Sequence, residues 1–215
     1  HSIAIDHDVT FTNEYRAFGV TVSPTPLGQP GNKYAIGPAL AWLPVYLSFA
    51  RWFDPGGYGF VSQYMVGATS VAYAASGIIL LFYLLLKQYP VEISALTVIA
   101  IYTATNLLFY GAVDTVNSHS ISFFAVVVFL SFLYAKKKSW FSIGIALGLV
   151  GIVRPQDLIV GLLVRRVKWR PFLTGVVIGF SPQVLAWQAL YGNPLAFPYL
   201  TGSAGFSFSL RNMFG

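Results

Sequence analysis

The sequence predicts an all-α, polytopic membrane protein, and three observations carry that prediction. Only 9% of the 215 residues are charged and 56% are hydrophobic, with a mean hydropathy of +0.66; a water-soluble domain carries roughly a quarter charged residues. Apolar runs cover 61–86, 91–112, 119–135 and 171–190, each near the ~20 residues a helix needs to cross a hydrocarbon layer. The basic residues then fall in every second gap: Lys87, the run Lys136, Lys137 and Lys138, and the cluster Arg165, Arg166, Lys168 and Arg170. Short loops rich in Lys and Arg mark the cytoplasmic side. Asp6, Asp8, Glu14, Asp54, Asp114 and Asp157 are thereby placed outside or in the outer half, and Glu92 alone inside. The functional face is expected on the non-cytoplasmic side.

The same features exclude several classes. A pI of about 9.6 invites a nucleic-acid reading, yet the basic residues sit at helix ends. There they fix topology and meet anionic headgroups, so membrane lipids are expected partners and nucleic acid is not. With no cysteine there is neither a disulfide framework nor a thiolate metal site. No Ser/His/Asp nucleophile set, glycine-rich phosphate loop or zinc spacing is present. The chain opens at His1 without a signal-peptide pattern and stops at Gly215 in a loop-like stretch. A piece of a longer membrane domain, cut at both ends, is expected. Its parts are an outer loop over 1–60, transmembrane helices over 61–190 and a second outer loop over 191–215.

Residues 1–35 are polar and rich in Pro and Gly, which suits a loop with short helical pieces. Segment 36–53 contains Pro38 and Pro44 and carries Trp42, Tyr46 and Trp52. A helix lying in the outer interface fits it, because a crossing would put Asp6, Asp8 and Lys33 on the side opposite Asp114 and His119; a true span is the alternative. Segments 61–86, 91–112 and 119–135 then descend, rise and descend. Segment 139–164 starts and ends at basic clusters. Two legs of about 13 residues reach only ~20 Å, short of the ~30 Å core, so a pair of half-length helices is expected. Their apex is Arg154-Pro155-Gln156-Asp157, and irregular backbone at that depth must line a wet cavity or be buried in protein. Segment 171–190 rises again.

Few residues can carry chemistry in so apolar a chain. Arg154 at mid-depth is costly to insert and so is expected either to pair with Asp157 or to bind a ligand. Its guanidinium fork suits a phosphate or carboxylate, and Gln156 adds a neutral donor and acceptor. Lys33, between Asn32 and Tyr34, is either a phosphate contact or a lysine snorkelling at the lipid boundary. Asp114, Asn117, Ser118 and His119 form a short outer turn able to hold sugar hydroxyls or an acceptor. Its plainer role is a polar cap, with Asn117 or Ser118 capping the helix that starts near His119. No second histidine stands near His119, so no metal is assigned there. Asp6-His7-Asp8 is an ordinary solvated charge cluster unless its loop folds over the cavity, where either carboxylate could act as a base.

Taken in order, several stretches resemble the GT-C membrane glycosyltransferases, most nearly the protein mannosyltransferase-like and lipid A aminoarabinose transferase-like group. They are Ile5-Asp6-His7-Asp8 through Phe11-Thr12-Asn13-Glu14-Tyr15, Asn32-Lys33-Tyr34 with Ile36-Gly37-Pro38-Ala39-Leu40-Ala41-Trp42, Ser118-His119-Ser120 with Phe123-Phe124, and Arg154-Pro155-Gln156. The resemblance implies a GT-C-like helical bundle whose first outer loop bears interfacial helices. It implies an enzyme of the prokaryotic cytoplasmic membrane, active outside, that moves a sugar from a polyprenyl-phosphate carrier to an acceptor lipid, glycan or protein. Lys33 occupies the place of the lysine that contacts the carrier phosphate, with Arg154 beside it in role. Asn32, Tyr34, Asp114, His119 and Gln156 are the expected substrate-binding residues. The catalytic carboxylate is implied at a position before His1; Asp6 and Asp8 come later than that place and are the catalytic candidates within the chain. Without the upstream base the piece as given is expected to be inactive. No cofactor is assigned, although a divalent metal is compatible with the class.

Two other classes compete. A transporter or flippase for an anionic amphiphile would also use broken helices near the midplane, and would show inverted repeats with a cavity opening to both faces. A non-catalytic subunit of a membrane assembly would leave the outer polar residues scattered rather than convergent.

Overall fold

A computed structural model describes residues 1–196 and Pro198, apart from the side chains of Ala50 and Arg51. From Phe197 onward, Pro198 excepted, the expected outer loop over 191–215 lies outside the described residues. The described chain is all-helical, its only strand-like feature an isolated bridge between Pro24 and Pro30. A π turn, Ser2–Asp6, opens it. The α-helices are α1 (Thr12–Ala17), α2 (Gly37–Phe53), α3 (Phe60–Leu85), α4 (Val91–Ala104), α5 (Leu107–Ala112), α6 (His119–Leu133), α7 (Trp140–Val153) and α8 (Trp169–Tyr191). A 3-10 segment, Pro155–Leu163, follows α7. Among the described residues two helices, α3 and α8, are long and apolar enough to cross a membrane; α4, α6 and α7 are shorter apolar helices.

The chain divides into two compact units, Ala35–Ser181 and His1–Tyr34 with Pro182–Gly215. In the unit over 35–181, α3 lies beside α6 and α6 beside α7. The buried seam of α3 reads Ser62, Gly67, Ser70, Ala74, Gly77, Leu81 and Leu84, which from Gly67 onward is a three-four spacing on one face. Small residues occupy most of it, and small residues let helix axes approach closely. Gly67 abuts Thr115, Gly77 abuts the Phe123 ring and Leu81 packs with Val127, so α3 and α6 run parallel. Phe129 and Leu133 share a core with Ile143, while Ile121 shares one with Ile152 and Val153, so α7 runs antiparallel to α6.

The approach of α7 to α8 depends on glycine. Gly144 and Gly148 on α7 face Gly175 and Gly179 on α8, each pair four residues apart. A Cβ added at Gly148 would lie 2.6 Å from the Val176 carbonyl oxygen, and one at Gly179 2.5 Å from that of Ile145. Added carbons at Gly144 and Gly175 would strike the Phe172 and Phe141 carbonyls. The two backbones touch along a small-xxx-small stripe on both helices, and α8 runs parallel to α7.

These registers give the unit two chemically distinct ends. Lys87, Lys136–Lys138, Arg165, Arg166, Lys168 and Arg170 follow or precede helices at one end; Asp54, Asp114, His119 and Arg154 lie at the other. The alternation of charge along the chain thus becomes a separation in space.

Segment 139–164 folds back on itself, with Gly151 against Leu158 and Gly161 against Leu147. The first leg, a 14-residue α-helix, has about the expected length; the second departs from the expectation, being a nine-residue 3-10 helix. In a 3-10 helix side chains three apart eclipse one another, and Gln156, Ile159 and Leu162 accordingly form one exposed row. A second correction concerns 91–112, which is broken at Thr105 and Asn106 into α4 and α5. The Thr105 hydroxyl donates to the Ile101 carbonyl at 2.7 Å and accepts the Leu107 amide at 3.2 Å, taking over bonds that a continuous helix would keep in its backbone. Helix α2 forms over 37–53 with Pro44 inside it. Its Trp42 indole donates to Ser70 at 2.8 Å, the Tyr73 hydroxyl donates to the Ala41 carbonyl, and Gly37 abuts Ile152 and Val153. All three contacts lie in the half of the unit away from Lys87.

Candidate functional site

In the 35–181 unit, the apex between α7 and the 3-10 segment meets the first turn of α6. Arg154 takes an extended conformation, φ −149° and ψ 107°, which ends α7 and turns the side chain toward His119. Arg154 Nη1 lies 2.9 Å from His119 Nδ1. A guanidinium has donors and no acceptor, so Nδ1 accepts and the imidazole carries its proton on Nε2. The ring lies flat on Tyr110, centroids 3.9 Å apart and planes 1° from parallel. Ser120, next to it, donates to the Tyr110 carbonyl at 3.1 Å.

Gln156 presents its carbonyl oxygen to Nε and Nη2 of Arg154, 2.9 Å from each, in the amide orientation that pairs donors with acceptors. Asp157 Oδ2 stands 3.9 Å from Nε, too far for a hydrogen bond, and accepts the Ser122 hydroxyl instead. Of the guanidinium's five N–H groups, one serves His119 and two serve Gln156; one on Nη1 and one on Nη2 remain. The side chain keeps 27% of its exposure, so these donors are open to a ligand. The arrangement is a cation held by neutral partners, with its counter-charge at arm's length, and its free donors suit an oxyanion.

Asp114, Asn117 and His119 are adjacent in the turn before α6. The Asn117 amide donates to the Asp114 carbonyl, and its Oδ1 accepts the His119 amide at 2.9 Å. Of the two expected caps Asn117 is therefore the one that caps α6, and Ser118 makes no side-chain cap; the αR backbone of Ser118 (φ −79°, ψ −10°) is not the extended conformation of a capping residue. The Asp114 carboxylate is exposed.

The remaining sequence-derived candidates belong to the other unit. Lys33 is half-buried with Nζ 5.4 Å from the Tyr34 ring centroid. Asn32 Oδ1 accepts the Tyr34 amide at 2.9 Å, an Asx turn that bends the chain around Lys33. Asn32 is itself gripped by Tyr191, whose hydroxyl accepts the Asn32 amide at 3.1 Å and donates to its carbonyl at 2.8 Å. Asp8 is exposed and accepts both the amide and the hydroxyl of Thr10. Asp6 accepts Asn13 Nδ2 at 2.7 Å and lies 2.8 Å from His1 Nδ1. The Asn13 hydrogen bond, then that of His1, holds the Asp6 carboxyl below its ordinary pKa. His1, Asp6 and Glu14 form the single metal-compatible group among the described residues.

Arg154, Gln156 and His119 thus converge with Asp114 close by in the turn. Ser122, Tyr110, Tyr191, His1 and Glu14 were not singled out from the sequence as functional residues. Nothing in their local sequence marks them; only Glu14 stood out, as one of the few acidic residues. Comparisons with protein-family models, curated proteins and solved structures return no match.

Proposed function

We propose that this chain is part of an integral membrane glycosyltransferase that uses a lipid-phosphate sugar donor, and that Arg154 binds the donor phosphate. One observation carries the reading. At the end of the helical unit opposite every basic cluster sits an arginine with two uncommitted N–H donors, framed by a neutral imidazole and an amide. The apolar surfaces of α3 and α4, where Ile79, Leu96 and Ile99 are exposed, support a bilayer setting, as do the length and apolarity of α3 and α8. The confinement of the α2 contacts to one half of the unit supports an interfacial helix. The resemblance of the polar stretches to GT-C enzymes supplies the sugar.

On this reading an acceptor oxygen attacks the anomeric carbon while a carboxylate takes its proton. The carbon–oxygen bond to the phosphate breaks, and the phosphate leaves with the electron pair. Arg154 offsets the charge growing on that phosphate, which is where electrostatic catalysis contributes most. Attack opposite the phosphate inverts the anomeric centre.

The test is radiolabelled sugar transfer from a polyprenyl-phosphate donor by the full-length protein in membranes. Arg154→Lys keeps the charge and loses the fork, and transfer is expected to fall about 10–100-fold, the worth of one or two charge-assisted hydrogen bonds. Undiminished transfer would remove Arg154 from the site. The break between α7 and the 3-10 segment favours one second reading, a flippase for the same anionic amphiphile. It predicts leaflet-to-leaflet movement of the lipid in proteoliposomes with no glycosylated product.

A further inference from the structure

We propose that His1, Asp6 and Glu14 form a binding site for a divalent transition-metal ion of the zinc type, independent of the Arg154 centre. The π turn over Ser2–Asp6 brings His1 and Asp6 together, and α1 supplies Glu14. His1 Nδ1 lies 2.8 Å from Asp6 Oδ2 and 3.6 Å from Glu14 Oε1. One ligand atom from each of the three residues lies within 4.8 Å of the other two.

The decisive feature is Glu14. It is only 9% exposed, and its Oε2 is buried with no hydrogen-bond partner. The other oxygen accepts the Ser2 hydroxyl and faces His1. Among the described residues, the ion pairs of Asp6 and Glu14 are both with His1, so two carboxylates share one imidazole. A buried carboxylate with an empty lone-pair side is costly, and a cation resolves it where a further hydrogen-bond donor is lacking. Imidazole with two carboxylates selects zinc-like ions over magnesium or calcium, which prefer oxygen alone. On binding, His1 Nδ1 gives its proton to solvent and takes up the metal. Asn13, donating to Asp6, and Ser2, donating to Glu14, then orient the ligands from behind, as outer partners do in metal sites. Three protein ligands leave a fourth position for water or a substrate oxygen.

The experiment is Co2+ titration of the purified full-length protein, read by visible absorption, with Zn2+ as competitor. One Co2+ is expected, displaced by Zn2+. Glu14→Gln and Asp6→Asn should each weaken it roughly tenfold or more, and Asp8→Asn, an exposed neighbour outside the trio, should leave it unchanged. Absence of Co2+ absorption in the wild type, or equal loss in Asp8→Asn, would overturn the site. Should a variant not fold, zinc-edge X-ray absorption of the wild type decides. One imidazole with oxygen ligands supports the site, and oxygen ligands alone refute it. None of these readouts depends on sugar transfer.

Discussion

Tyr191 holds the Asn32 backbone by both its amide and its carbonyl, across 159 residues of sequence. The bond pair helps to fix the turn that presents Lys33, beside the Tyr15 hydroxyl, which donates to the Gly31 carbonyl at 3.3 Å. Tyr191→Phe removes two hydrogen bonds at once and is expected to cost about 1–3 kcal/mol locally. Limited proteolysis should show faster cleavage within 23–34 in that variant, whereas Tyr34→Phe, at an exposed ring, should leave cleavage unchanged. At this scale the sequence was informative where a residue broke its own surroundings. Arg154 stood out because a charge amid apolar residues is conspicuous, and Asn117 because a helix start follows it. Tyr191 was silent, since tyrosines abound near helix ends here and only the fold reveals which backbone a given hydroxyl meets.

Helices α7 and α8 show what one element asks of another. Their contact relies on two glycines from each side, and filling that stripe forces the backbones apart. Gly148→Leu and Gly179→Leu are each expected to destabilise the protein by about 1–3 kcal/mol, as overpacking does, lowering the melting temperature in detergent. Gly19→Ala, where an added carbon meets nothing within 4 Å but φ is +61°, separates backbone strain from packing: its loss should stay near 1 kcal/mol. The helices themselves were legible, because long apolar runs bounded by charge leave little choice of structure. The pairing was not, although Gly144 and Gly148 stand four apart in one run and Gly175 and Gly179 in another; the stripe becomes a signal only when both helices are read together. The break at Thr105 escaped for a related reason, since a threonine side chain competes with helical hydrogen bonds only where geometry lets it.

At the level of the whole chain, the alternation of basic and acidic gaps was the most readable feature, and it survives as two opposite ends of the 35–181 unit. Because the protein has no cysteine, single-cysteine variants report on one position each. Asn117→Cys should react with an impermeant maleimide in intact cells, and Lys137→Cys only after permeabilisation; the same accessibility at both positions would contradict a membrane crossing between them. What the sequence could not convey was how the segment after Arg154 is wound. Its three-residue period lines up Gln156, Ile159 and Leu162, whereas an α-helical stripe would spiral away. A straight greasy rail therefore climbs from the end bearing Arg165 to the amide that touches the guanidinium. On the proposed function, a prenyl tail can lie along it untwisted, with its headgroup delivered to Arg154.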